Sequence, residues 1–113
     1  MHPRLRGSKA HAPYTPTPRK LAHWFRVINA AYFQGQLPTP VFRLESIDGG
    51  MAYTDGGTLA LDPGYTWTFQ MVFNTVAHEM IHLWQYHTKN PLDHGPLFQR
   101  HAKALRKLTG HPV

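Results

Sequence analysis

Two histidines four residues apart, with a glutamate directly after the first, stand in the second half of a 113-residue chain as His78-Glu79-Met80-Ile81-His82. On an α-helix four residues make about 400° of rotation, so the two imidazoles leave one face about 40° apart and about 6 Å along the axis. From there both reach a single Zn²⁺ at about 2.0–2.1 Å. Glu79 lies about 100° round from His78, beside such an ion rather than on it. That is the place for a base acting on a metal-activated water.

A catalytic zinc needs a third protein ligand and one open position. After Glu79 the chain has no further Glu and a single Asp, so the candidates are His87, Asp93, His94, His101 and His111. A downstream glutamate ligand is therefore excluded. The metzincin spacing is excluded too, because Gln85 and Thr88 stand where it needs Gly and His, and no Met follows Met80. His87 lies about 140° off the direction of His82 on a continuous helix. His94 follows the Asn90-Pro91 break and directly precedes Gly95-Pro96, where the chain has room to turn back. Spacing thus favours His94, with His101 second. Asp93 is read as a loop charge or helix cap, with a hydrogen bond to a ligand imidazole as its other role.

The elements that must hold these groups follow from period and punctuation. Thr17-Pro18 starts a helix whose stripe is Leu21, Trp24, Phe25, Ile28 and Tyr32, stopped at Gly35. Val41 to Leu44, Met51 to Thr54 and Thr58 to Leu61 read as three short strands separated by Asp-Gly-Gly turns, forming a mostly antiparallel sheet. A long helix from Thr66 or Thr68 to His87 carries Phe69, Val72, Phe73, Val76, Met80, Leu83 and Trp84 on its apolar side. A last helix runs from Pro96 to Gly110 with Leu97, Leu105 and Leu108 inward. The order α-β-β-β-α-α is an α+β domain over 18–113. Residues 1–17 read as a basic, proline-rich flexible tail.

Nine His and no Cys exclude disulfide scaffolds, thiolate zinc fingers, iron–sulfur clusters and cysteine nucleophiles. No apolar run spans a membrane, and the N-terminus lacks the apolar region of a secretory signal, so the expected setting is cytoplasmic. Twelve Lys and Arg oppose six Asp and Glu, a net charge of +6. All six acids lie between Glu45 and Asp93, while the basic groups cluster in residues 1–44 and on Arg100, Lys103, Arg106 and Lys107. Basic ends suit a polyanion such as nucleic acid, and serve solubility equally well.

The motifs His78-Glu79-Met80-Ile81-His82 and His94-Gly95-Pro96-Leu97-Phe98 together resemble those of the SprT-like zinc metallopeptidases, which include the Spartan proteases of DNA–protein crosslink repair. Tyr32-Phe33-Gln34-Gly35-Gln36-Leu37-Pro38 resembles that family's segment before its sheet, so the likeness spans roughly residues 20–109. It implies a minimal zincin-like core, Zn²⁺ on His78, His82 and His94, and Glu79 as general base. It implies hydrolysis of peptide bonds in protein or peptide substrates, often proteins bound to DNA. The cysteine-containing zinc ribbon that many members carry is not within this chain. DNA contact would then fall to the basic tail and the C-terminal helix. The substrate backbone is expected along an exposed strand, Met51–Thr54 or Thr58–Leu61. Tyr65, Tyr86, Arg100 and His101 are candidates for a second oxyanion donor. The competing reading is a zinc-containing nucleic-acid-binding module without proteolytic activity, its site closed by a carboxylate, for which Asp93 is the downstream candidate. A third reading is a non-catalytic interaction protein in which H-E-x-x-H is accidental.

Overall fold

The computed structural model describes residues 11–113. Its elements are α1 (Pro18–Tyr32), β1 (Val41–Leu44), β2 (Ala52–Thr54), β3 (Thr58–Leu61), α2 (Phe69–His87) and α3 (Pro96–Thr109). The helix ends obey local chemistry. Thr17 caps α1 by accepting the Lys20 amide at 3.1 Å, and Thr68 caps α2 by accepting the Met71 amide at 3.2 Å. Both hydroxyls satisfy an amide that has no partner within its helix. Gly110, at φ 78°, ends α3 in the left-handed conformation that a side chain disfavours.

The core lies between the helices and one face of the sheet. Leu21, Phe25 and Ile28 of α1 are buried with Val72, Phe73, Val76 and Met80 of α2, Leu59 and Leu61 of β3, and Phe98 and Leu105 of α3. Each such side chain contributes about 1.5–3 kcal/mol by leaving water. α2 buries nine of its nineteen residues. The element carrying H-E-x-x-H is therefore held from several sides and makes a firm base for precise chemistry.

The sheet is mixed rather than mostly antiparallel. Its order is β1-β3-β2; β1 runs parallel to β3, and β2 runs antiparallel to it. The cause is the path of the chain between β1 and β2. The Glu45 amide bonds the Leu61 carbonyl, and the Asp62 amide bonds the Met51 carbonyl. The Asp62 carboxylate takes the Ile47 amide at 2.9 Å and the Gly64 amide at 2.8 Å. Those amide bonds hold its pKa below the usual carboxylate range. Residues 45–51 thus cross the end of β3, and β2 is laid on the far edge. The middle strand Thr58–Leu61 has no free edge, which leaves β2 as the strand able to receive a peptide on the side of α2.

Residues 1–10 of the tail lie outside the described residues. Residues 12–14 are docked: the Tyr14 amide bonds the Trp67 carbonyl and the Phe69 amide bonds the Ala12 carbonyl. Tyr14 accepts a hydrogen bond from Trp24 Nε1 at 2.9 Å and meets Phe69 edge-on at 5.4 Å. One tyrosine is enough to bring this part of a polar segment down onto the start of α2. Among the described residues no helix is long and apolar enough to cross a membrane.

Asn29 ties α1 to the connector that follows. It is buried, its Nδ2 donates to the Leu37 carbonyl at 3.1 Å, and its Oδ1 accepts the Leu37 amide at 3.1 Å. Asn29→Ala leaves both Leu37 groups without partners, and stability in urea unfolding should fall by about 2–3 kcal/mol.

Candidate metal centre

α2 presents His78 and His82 one turn apart, as the spacing requires. The third group arrives from the loop between α2 and α3. His94 Nε2 stands 3.1 Å from His82 Nε2 and 3.1 Å from His78 Nε2. These three form the only group among the described residues whose donor atoms lie close enough together to hold a metal ion, all within 4.8 Å. Tetrahedral ligands at about 2.0–2.1 Å place their nitrogens about 3.3 Å apart, so the donor set fits. Phe98 closes the site from below, its ring centre 4.9, 4.9 and 4.8 Å from those of His78, His82 and His94. The first turn of α3 thus sets one aromatic floor under all three imidazoles.

Gln85 settles which nitrogen of His82 is free. Its Nε2 donates to the Asp93 carbonyl at 3.0 Å, and a carbonyl only accepts. Its Oε1 therefore faces His82 Nδ1, at 2.7 Å. That ring nitrogen must carry the proton, which leaves Nε2 with a lone pair aimed at the common point. The same buried side chain holds the backbone beside His94. One amide thus orients His82 on the helix and anchors the loop that delivers His94.

Glu79 is buried at 8 % exposure. Burial pushes its carboxyl from 4.5 up to about 7. His78 moves the other way, to about 4, because of its burial and then the nearby His82 and His94; it stays neutral and ready to ligate through the physiological range. Two open cavities meet here. One of about 340 Å³ is lined by Ala52, Tyr53, Thr54, His78, Glu79, His82, Leu92 and His94, and one of about 310 Å³ reaches Met51, Asn74 and Thr75. The imidazoles therefore face solvent along β2.

The other candidates lie elsewhere. His101 Nδ1 bonds the Tyr32 hydroxyl at 2.7 Å, and its ring packs on Trp84 at 4.3 Å; as the second choice for a ligand it is set aside, and it lines neither cavity of the site. His87 packs against Tyr86, and His111 against Phe69 and Phe73. The Asp93 carboxylate accepts the Gly95 amide at 3.1 Å, a loop role, and it is not in the cluster that could hold an ion. Tyr86 covers Gly56 in the turn after β2. Tyr65 is exposed and packs edge-on to Trp67. Gln85 and the floor role of Phe98 were missed in the sequence. The signals available were a helical glutamine three residues after His82 and the place of Phe98 at the end of the His94–Phe98 motif.

The chain matches the model of the SprT-like family over residues 21–113. Among solved structures it is similar to the crystal structure of the metallopeptidase zymogen of Pyrococcus abyssi abylysin, with a TM-score of 0.56 and 17 % identity over 86 % of this chain and 99 % of that one. That likeness is one of fold. No curated protein matches the chain.

Two outcomes follow from this geometry. Gln85→Leu should keep the apolar packing yet weaken metal affinity about 10–100-fold in a competitive chelator titration. The second concerns Glu79 in metal-free protein. The unfolded chain releases its proton near 4.5 and the folded state holds it to about 7, so this group costs stability as pH rises through that window. Glu79→Gln should stabilise the metal-free protein at pH 8 by on the order of 3 kcal/mol, and the gain should vanish by pH 4.5, as read by chemical denaturation.

Proposed function

The chain belongs to the SprT-like family, and on that footing we propose that it is a zinc-dependent endopeptidase, with His78, His82 and His94 holding the ion and Glu79 as general base. The observation that carries the reading is the open side of the triad. Three imidazoles converge, a buried carboxylate stands beside them, and the remaining direction opens on a cleft edged by β2. Catalytic zinc sites keep such an open position, whereas structural ones are closed by a fourth protein ligand. With the Asp93 carboxylate engaged by the Gly95 amide, the non-proteolytic zinc module loses its closing group.

Bound there, Zn²⁺ would supply a Lewis acid and lower the pKa of water toward about 7. The chain's own groups do the rest. β2 offers its free edge to the substrate backbone, which fixes the scissile carbonyl against the cleft. Glu79 takes the proton of the attacking water and passes it to the leaving amine. A nearby cation favours its ionised form and so opposes the rise due to burial. His82, locked by Gln85, and His78, kept neutral by burial, present lone pairs without first losing a proton.

The proposed substrates are proteins bound or crosslinked to DNA. Support comes from charge: Arg100, Lys103 and Lys107 are exposed along α3, a basic face for phosphates.

The test is digestion of a basic DNA-binding protein with and without single-stranded DNA. Wild type should cleave it, and Glu79→Gln should lose at least about 100-fold in rate while retaining the metal. DNA should accelerate cleavage, with the gain reduced when Arg100 and Lys103 become Ala. Full activity in Glu79→Gln would remove the assignment of the base. Cleavage indifferent to DNA would leave a general peptidase.

A further inference from the structure

The two cavities beside the triad share Ala52, His78 and Glu79. Glu79 must reach the attacking water, so those three mark where the cleaved bond lies, and each cavity serves one side of it. The smaller adds Met51, Asn74 and Thr75. The larger adds Tyr53, Thr54, His82, Leu92 and His94.

β2 supplies the direction. It runs from Ala52 at the shared centre to Thr54 at the larger cavity. An antiparallel addition is the more stable pairing per residue, and β2 already pairs that way with β3. A peptide so added runs against β2: its amino-terminal half passes Thr54 and Leu92, and its carboxy-terminal half leaves past Met51. Resting on the endopeptidase reading, we infer that Asn74 and Thr75 receive the side chain directly after the cleaved bond and select a small polar one, while Leu92 receives a side chain before it and selects an apolar one.

The chemistry of each half differs. Asn74 and Thr75 are half-buried on the first turns of α2. An apolar side chain there would cover an amide and a hydroxyl without pairing them, which a substrate hydroxyl or amide avoids. Leu92 is 56 % exposed, and an apolar substrate residue covering it removes that surface from water.

The experiment is cleavage-site mapping by mass spectrometry on a mixture of unstructured peptides, with Glu79→Gln as the blank. Asn74→Leu should shift preference after the cleaved bond toward apolar residues by about tenfold. Leu92→Glu should shift preference before the bond toward Lys and Arg. If Asn74→Leu does not fold, Thr75→Val reads the same position. Effects on the opposite sides would mean a parallel substrate and overturn the inference, as would no change in either profile. Wild type cleaving no more than the blank is a distinct result, which removes the endopeptidase reading itself and the inference with it.

Discussion

Three imidazole nitrogens meeting at one point is the constraint that the remainder of the molecule serves. A neutral ring nitrogen has either one proton or one lone pair to offer. His94 Nε2 lies 3.1 Å from two other such nitrogens, so it can satisfy at most one of them by a hydrogen bond. Charging the cluster is opposed by burial and by mutual repulsion, the two effects that hold His78 down to about 4. A cation with vacant coordination positions satisfies all three at once. Folding thus prepares a site whose cost a bound ion would remove, which would couple metal binding to stability.

Holding that arrangement is the work of a short reversal after α2. Thr88 and Lys89 turn back onto the last carbonyls of the helix, and the Asn90 amide reaches the Gln85 carbonyl at 2.8 Å. Lys89 sits at φ 60°, a left-handed conformation that costs a side-chain-bearing residue roughly 1–2 kcal/mol. The turn brings Asp93 over Gln85, and Gly95-Pro96 opens α3 so that Phe98 meets the imidazoles. On the opposite side the crossing at Asp62 sets β2 on the outer edge of the sheet. The histidine triad and the strand that would bind substrate are therefore placed by two separate loops. Both are fastened to one well-buried helix.

Much of this was legible because it depends on local rules. Period and caps placed all three helices, since Thr17, Thr68, Pro96 and Gly110 act within a few residues of themselves. The H-E-x-x-H spacing is a property of one helix turn, and elimination left His94 favoured because few other donors follow Glu79. What escaped depends on contacts between distant residues. The parallel pairing of β1 with β3 follows from hydrogen bonds between Asp62 and residues 47–51, which no strand pattern announces. Gln85 looks like a surface residue by type, and only its two partners explain why it is 1 % exposed. The docking of Tyr14 likewise follows from Trp24 and Phe69, each in a different helix.

The most direct measurement is X-ray absorption at the zinc edge on metal-loaded protein. The account predicts three imidazole nitrogens and one exchangeable light-atom ligand from solvent, all near 2.0–2.1 Å, with one imidazole lost in His94→Ala. Fewer than three imidazoles in the unaltered protein, or a fourth protein ligand with no exchangeable position, would contradict it.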